Sequence, residues 1–250
     1  MSRDKSQRKL VVVQQAGGND YLNTIVPYTD GTYYDSRPNV HIREEEVLKI
    51  DGRMGFGPNL APLKSLWDEG KVAIIHGIGY PNPNRSHFRS GDIWHTAVPE
   101  TIGKDGWLGR ALREMDPAGD NVLTAVNFGR GLPRALQCDG VSAASVGKLE
   151  NYGFFPDLKQ ETARSRTLEL FAKLYSTHQA DALAAFLTQT GSAAMAGADQ
   201  LRSAKDKYRS SVEYASNGIA QSLRDVAQVM FAGIGTRIFY TVHGLSLIHI

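Results

Sequence analysis

Cysteine is almost absent from this sequence of 250 residues, with Cys138 as the single example. One cysteine excludes an intramolecular disulfide, so packing and hydrogen bonds must hold the fold together. Cys138 lies in a turn-like stretch, Gln137-Cys138-Asp139-Gly140, without a basic neighbour in sequence. A reactive thiol needs a nearby cation to lower its pKa, so we do not expect Cys138 to be a nucleophile.

Long apolar runs are also missing. The charged residues 1–9 are followed by only four apolar residues, 10–13. That run is too short for the core of a signal peptide, and no other run approaches the length of a transmembrane helix. We therefore expect a cytoplasmic protein without a membrane partner.

Strong net charge is the third absence. The formal net charge is +2, and the 28 basic residues are spread along the chain. A nucleic-acid surface needs Lys and Arg gathered on one face, so we expect no nucleic-acid partner. Hydrophobic residues make up 42% and charged residues 22%, which is typical of a folded globular protein.

Short apolar runs predict four strands, at residues 10–13, 72–75, 122–126 and 238–242. The first two are continuously apolar, which favours strands buried on both faces of a parallel sheet. Helical spacing predicts helices between them, at residues 60–67 with Gly70 as the cap, from near Ser86, and over 161–188 and 199–231. We interpret Gly191 and Gly197 as the break between the last two helices.

These patterns predict an α/β fold, with a mostly parallel sheet and flanking helices. We expect a single domain over residues 1–244, with a helical insertion at about 157–232. Residues 245–250, Leu-Ser-Leu-Ile-His-Ile, resemble a translated sequencing adaptor. We therefore expect them not to belong to the native protein.

Ligands of open parallel sheets bind beyond the carboxyl ends of the strands. The loop after the first predicted strand, Gly17-Gly18-Asn19-Asp20, places a carboxylate there, with Asn23 as a second oxygen donor. Asp20 and Asn23 are therefore candidate ligands of a divalent metal. The alternative is an Asx turn, in which Asn19 and Asp20 bond their own backbone.

A second loop, Asn84-Arg85-Ser86-His87-Phe88, precedes a predicted helix. Free N–H groups at a helix N-terminus stabilise an anion, and Arg85 adds a planar cation suited to phosphate or sulfate. Ser86 is then a candidate nucleophile, and His87 a candidate base, ligand or supporting group. The alternative is that Ser86 or Asn84 only caps the helix. Arg130 is a secondary candidate for anion contact, and His243 for metal ligation.

Taken in order, the segments resemble a known family. Val11-Val12-Val13 leads into the loop of Asp20, followed by Val26-Pro27-Tyr28, Tyr33-Tyr34-Asp35-Ser36-Arg37-Pro38, Asn84-Arg85-Ser86-His87-Phe88 and Gly106-Trp107-Leu108-Gly109-Arg110. This set resembles the bacterial family called domain of unknown function 1501, and the resemblance covers residues 9 to 244. That family looks like a branch of the alkaline phosphatase and sulfatase superfamily.

The resemblance implies an alkaline-phosphatase-like core and hydrolysis of phosphate or sulfate esters with divalent metal ions, either Zn, Mn, Ca or Mg. Asp20 falls where a metal-binding carboxylate follows the first strand, and Ser86 falls near the nucleophile position. Family members continue with Gly-Phe-Asp-Thr-His and Asp-His-Gly segments that supply further ligands, whereas here Leu245 follows Gly244. Many members also begin with a twin-arginine export signal. We therefore expect the chain to be C-terminally incomplete and to lack the rest of a two-metal site.

The sequence leaves three functions open. The first is a metal-dependent hydrolase acting on an anionic ester, either a small molecule or a glycan. The second is a non-catalytic protein that keeps the sulfatase-like fold to bind a polysaccharide or a protein. The third, a nucleotide-binding enzyme, is disfavoured because no phosphate-cradling glycine motif is present.

Overall fold

The computed structural model describes residues 8–17, 19–149, 152, 160–176 and 182–244. The chain divides into two compact units. The first comprises Met1–Gln14 and Pro83–His243, and the second comprises Gln15–Asn82 and Gly244–Ile250. The expectation of a single domain stays a prediction.

Seven described strands follow in chain order: β1 Leu10–Ala16, β2 Ile25–Val26, β3 Leu48–Lys49, β4 Gly55–Phe56, β5 Ala125–Phe128, β6 Ala144–Val146 and β7 Ile238–Gly244. The described helices are α1 Tyr21–Thr24, α2 Gly31–Ser36, α3 Ala61–Asp68, α4 His87–Thr96, α5 Trp107–Met115, α6 Glu161–Ser176, α7 Ala182–Lys207 and α8 Gly218–Ala232. Short 3-10 turns cover Glu44–Glu46, Pro58–Leu60 and Arg134–Leu136.

The first unit is built on a four-stranded sheet in the order β1-β7-β5-β6. β5 is parallel to both of its neighbours, with Val126 opposite Phe239 and Ala144. Helices flank this sheet, so the predicted α/β class with a mostly parallel sheet is confirmed. The helices α6, α7 and α8 lie between β6 and β7, within the range predicted to be helical.

Successive side chains along the strands of this sheet belong alternately to two buried clusters, because neighbouring residues of a strand point to opposite faces. Val126, Phe128 and Phe239 belong to one buried cluster, with side chains from α7 and α8. Ala125 and Tyr240 belong to the other cluster, with side chains from α5. β5 is buried along its whole length because both of its faces are covered.

The second unit holds a small antiparallel sheet in the order β2-β4-β3. Its buried cluster consists of Val26, Tyr28, Tyr33 and Val47. In the same unit α3 ends at Asp68, and Gly70 lies just past its end, as predicted for the cap, with a positive φ of 68°. The amide of Gly70 donates to the carbonyl of Trp67 and that of Lys71 to the carbonyl of Leu66, which is the Schellman arrangement of a glycine-capped helix.

The predicted second strand is wrong. Residues 72–75 form no strand, and the side chain of Ile75 is 72% exposed. A strand requires a neighbour to satisfy its backbone, and no described strand pairs with this segment. The third strand begins at Ala125 rather than at residue 122. The reason is local, because the Asn121 side chain accepts the amide of Leu123 and holds the preceding residues in a turn.

The predicted helix break is also wrong. Gly191 and Gly197 both lie inside α7, and the described break falls between Lys207 and Gly218. A Cβ atom at position 197 would lie 3.0 Å from Val122 Cγ2. Gly197 therefore allows close packing of α7 on the residues before β5 instead of ending the helix. Within the described residues, no helix has both the length and the apolar character needed to cross a membrane.

Candidate functional site

The first candidate loop lies in the second unit, where Asp20 immediately precedes α1; Gly18 of this loop is outside the described residues. The Asp20 carboxylate accepts a hydrogen bond from the guanidinium of Arg37, and its side chain remains about half exposed, at 48%. Asp20 makes no side-chain cap of α1, and Asn19 bonds the hydroxyl of Thr24. Among the described residues of the loop, neither side chain makes the backbone hydrogen bond that the Asx-turn alternative requires. Asp20 is instead an ion-paired, partly exposed carboxylate.

Asn23 has a supporting role in the same unit. Its Nδ2 donates to the carbonyl of Val40 at 2.7 Å, and its Oδ1 accepts the hydroxyl of Tyr33 at 2.7 Å. The Tyr33 hydroxyl in turn accepts the amide of Ile42. Because both ends of the Asn23 amide are engaged, metal binding at its oxygen has to compete with Tyr33.

His76 contacts the residue that follows Asp20, and the sequence did not identify it as a candidate site residue. Its Nδ1 is hydrogen-bonded to the hydroxyl of Tyr21, and the two rings meet edge to face at 6.0 Å. Tyr21 is the first residue of α1 and directly follows Asp20, so the tyrosine that bonds the imidazole is adjacent in sequence to the candidate carboxylate. Across the described part of the chain, however, no three His, Cys, Asp or Glu side chains gather as a metal-binding group.

The second candidate loop lies in the first unit, and Ser86 is the N-cap of α4. Its Oγ accepts the amide of Arg89 at 3.4 Å, and its own amide donates to Asn84 Oδ1 at 2.8 Å. The predicted helix start is confirmed, as is the capping role that the sequence offered as the alternative. Arg85, Ser86 and His87 are all exposed. A solute can therefore reach the hydroxyl and the cation together.

Three arginines fix α4 and the chain after it. Arg134 Nη1 binds the Asp92 carboxylate at 2.6 Å, and Arg110 Nη2 donates to the carbonyl of Thr96 at 2.9 Å. Arg89 Nη2 donates to the carbonyl of Thr101 at 2.6 Å and to that of Pro99 at 3.0 Å. Bonds from charged donors are among the stronger hydrogen bonds, so the helix that carries Ser86 is held firmly.

A polar network that the sequence did not indicate lies at the other end of α4. Gln14 Oε1, on β1, accepts the hydroxyl of Tyr240 and lies 3.1 Å from His95 Nε2. Burial raises the pKa of Tyr240 to about 12, so its hydroxyl stays protonated and donates. Burial lowers the pKa of His95. The charge of Asp92 raises this pKa by a smaller amount, and the charge of Arg134 lowers it further. Only the fold brings these residues together, since Gln14 and Tyr240 are far apart in sequence.

The remaining candidates are distributed as follows. Arg130 is exposed in the turn after β5, and His243 is half-buried near the end of β7. Burial raises the pKa of the Cys138 thiol, which fits the expectation that it is unreactive. Asp20 and Asn23 belong to the second unit, whereas Ser86 belongs to the first.

No protein-family model, curated protein or solved structure matches the chain. Function is therefore inferred from the residues, their geometry and the order of the motifs along the chain.

Proposed function

We propose that the chain carries the nucleophile of a metal-dependent hydrolase of phosphate or sulfate esters, built on an alkaline-phosphatase-like core. The observation that carries this proposal is the exposed Ser86 at the N-terminus of α4, between the exposed side chains of Arg85 and His87. The ordered motifs that resemble the sulfatase-like family support the same assignment.

The chemistry at this position follows from the helix. The first amides of α4 and the positive end of its dipole stabilise negative charge, and the Arg85 guanidinium binds two oxygens of a phosphate or sulfate. The Ser86 Oγ atom forms the new bond to phosphorus or sulfur, and the alcohol of the ester leaves. His87, the adjacent titratable residue, is the candidate acceptor of the hydroxyl proton, and it returns this proton to the departing oxygen so that the alcohol is released. Water then releases the phosphate or sulfate and restores Ser86.

In this proposal Asp20 is the first candidate ligand of the divalent metal, and Asn23 is the second. Asp20 offers a half-exposed carboxylate, although Arg37 already binds it. The Asn23 oxygen is occupied by Tyr33. The described residues thus fit a complete metal site only in part, and no step of the reaction is assigned to the ion.

Turnover of p-nitrophenyl phosphate and p-nitrophenyl sulfate by the full chain tests the proposal. Ser86→Asn is the informative variant, because asparagine caps a helix as well as serine but cannot act as the nucleophile. We expect Ser86→Asn to abolish turnover and Arg85→Ala to weaken substrate binding. Equal turnover of Ser86→Asn and wild type would refute the assignment of the nucleophile.

Bound metal is measured separately, by elemental mass spectrometry after loading with Zn, Mn, Ca or Mg. We expect Asp20→Ala to lose metal relative to wild type. Asp35→Ala, which removes another exposed carboxylate in the same unit, is the control and keeps it. Equal metal content in all three proteins would remove Asp20 from the proposal.

The second candidate function is a non-catalytic protein that binds an anionic ester or glycan. The Asp20–Arg37 ion pair and the fully engaged Asn23 amide favour it, because both residues already have structural partners. This function predicts that sulfate binding depends on Arg85 while no ester is hydrolysed by the wild type under any metal condition.

A further inference from the structure

The start of α8 contains the one place in the sequence where an asparagine is followed by a glycine, Asn217-Gly218. Asparagine is a thermolabile residue, because the backbone nitrogen of the next residue can attack its side-chain amide. A glycine in the next position hinders this attack least, since it has no Cβ atom. The dipeptide lies in the first unit, outside the loops of the proposed hydrolase, and its chemistry is independent of that function.

Both residues of the dipeptide are exposed to solvent. Asn217 is the N-cap of α8, and Gly218 is the first residue of the helix. The first amides of a helix have no partner within it. Among the described residues, no acceptor bonds the amide of Gly218. Base from the solvent can therefore remove the proton of this amide without breaking a hydrogen bond.

The electrostatics of the helix start favour the reactive form of this nitrogen. The attacking species is the Gly218 amide nitrogen after loss of its proton, and it is negatively charged. α8 is 15 residues long, and the positive end of its dipole lies at Gly218. The dipole therefore stabilises the anion that begins the reaction.

One hydrogen bond opposes the reaction. Asn217 Oδ1 accepts the amide of Ala220 at 2.9 Å. The side chain has to turn from Ala220 toward Gly218 before the nitrogen can attack, so this capping bond is broken. The strength of an N-cap bond predicts that the native chain reacts more slowly than the unfolded chain by roughly twofold to thirtyfold. The cap thus slows the reaction but does not prevent it.

We propose that Asn217 is a site of spontaneous deamidation, which replaces the neutral cap of α8 by a carboxylate. The Gly218 nitrogen bonds to the side-chain carbonyl carbon of Asn217, and the side-chain nitrogen takes up a proton from water and leaves as ammonia. Water then opens the cyclic imide, at one bond to give aspartate or at the other to give isoaspartate. Aspartate caps a helix as well as asparagine, and its negative charge is favourable at a helix N-terminus.

Incubation of the full chain in mildly alkaline buffer, followed by tryptic peptide mass spectrometry, tests this proposal. Residues 210–224 form one tryptic peptide, in which Asn217 is the single asparagine. Gly218→Ala is the decisive variant, because a Cβ atom there meets nothing within 4 Å but hinders closure of the ring. Circular dichroism confirms that the variant is folded. Asn84 is the matched control in the wild-type chain, since it is exposed and its Oδ1 also accepts a backbone amide, but Arg85 follows it.

We expect Asn217 of the native chain to gain a carboxyl group, roughly twofold to thirtyfold more slowly than in the chain unfolded by guanidinium chloride. Asn84 should keep its amide over the same period, and Gly218→Ala should convert several-fold more slowly than wild type. An intact Asn217 amide after about thirty half-lives of the unfolded chain would overturn the proposal. Equal conversion of Asn84, or an equal rate in Gly218→Ala, would also overturn it.

The effect on the helix is tested with Asn217→Asp, which reproduces the aspartate product. We expect its urea midpoint to equal or exceed that of wild type, because the cap is retained and a negative charge is added at the positive end of α8. A lower midpoint would overturn the inference that deamidation to aspartate preserves the start of α8.

Discussion

Ser86 illustrates why a residue type alone does not define a site. Serine is favoured at helix N-termini because its oxygen accepts a backbone amide, and Ser86 accepts that of Arg89. The same position exposes the hydroxyl to the positive end of α4, where a nucleophile for phosphate or sulfate would lie. Capping and nucleophilic attack are therefore compatible roles, and variants must separate them.

The capping role predicts a stability difference between two variants. Ser86→Ala should lower the free energy of unfolding by about 1 kcal/mol, because the Arg89 amide loses its partner. Ser86→Asn should retain most of the wild-type stability. Urea denaturation followed by circular dichroism measures both values, and equal stability of Ser86→Ala and wild type would contradict the described cap.

His95 predicts a pH dependence of stability. Burial lowers its pKa below the ordinary value of 6.5. Between that value and the lowered native pKa, the unfolded chain binds more protons than the native chain. The free energy of unfolding should therefore fall as the pH falls from 6.5 into this interval.

The measurement is the urea midpoint of wild type and His95→Gln at about pH 7.5 and about pH 5. We expect a smaller decrease with acid in His95→Gln, because glutamine can still bond Gln14 but does not titrate. His87→Gln, which removes an exposed histidine at the start of α4, is the control and should keep the wild-type decrease. Identical decreases in all three proteins would exclude a role for His95.

At the scale of elements, the sequence predicted most helices and two of four strands well. The predictions for β1 and β7 are correct because these two apolar runs also pair with each other in the sheet. Residues 72–75 are as apolar as residues 10–13, but no described strand pairs with them, and local composition does not encode pairing. The prediction that Gly197 breaks a helix is wrong for a similar reason. The close packing of Gly197 against Val122 depends on tertiary contacts, which the local sequence does not show.

Two helical glycines should respond oppositely to alanine. A Cβ atom on Gly109 of α5 would lie 2.7 Å from both Cys138 Cβ and the Gln137 carbonyl oxygen, so Gly109→Ala should destabilise by about 1–3 kcal/mol. A Cβ atom on Gly91 of α4 meets nothing within 4 Å. Gly91→Ala should therefore stabilise by roughly 0.5–1 kcal/mol, the helix preference of alanine.

Chemical denaturation of the two variants beside wild type measures this contrast. A stabilising Gly109→Ala substitution would show that α5 does not pack closely on the chain near Cys138. A destabilising Gly91→Ala substitution would show that the face of α4 at Gly91 is covered.

At the scale of the whole molecule, β1 is one of the two edge strands of the described four-stranded sheet, and β6 is the other. β1 carries no charged residue, and Leu10 and Val13 are 45% and 42% exposed. An uncharged edge strand with exposed apolar side chains can pair with a strand of another molecule. We expect association of the protein as its concentration rises.

A lysine on this edge should suppress that association. Val13→Lys places the charge on an exposed side chain, and the expected result is less light scattering at high concentration with unchanged stability. Val11→Lys is the comparison, because Val11 packs against the buried cluster of Val126 and Phe239. It should lower stability instead. Unchanged association of Val13→Lys would exclude edge pairing as the cause.

The candidate site could be predicted only in part. The two loops were identified from sequence because glycines, a carboxylate and a capping serine are local signals. The Arg37 partner of Asp20 and the Tyr33 partner of Asn23 could not be identified in this way, since chain folding alone brings them together.

The most direct test of the central assignment is detection of a phosphoryl or sulfuryl group on Ser86 during turnover. The full chain is mixed with p-nitrophenyl phosphate or sulfate and divalent metal, quenched in acid, and analysed by peptide mass spectrometry. We expect an adduct on the peptide containing Ser86 in wild type, and none in the folded Ser86→Asn variant. Ester hydrolysis with an adduct on another residue, or with an equal adduct in Ser86→Asn, would contradict the assignment.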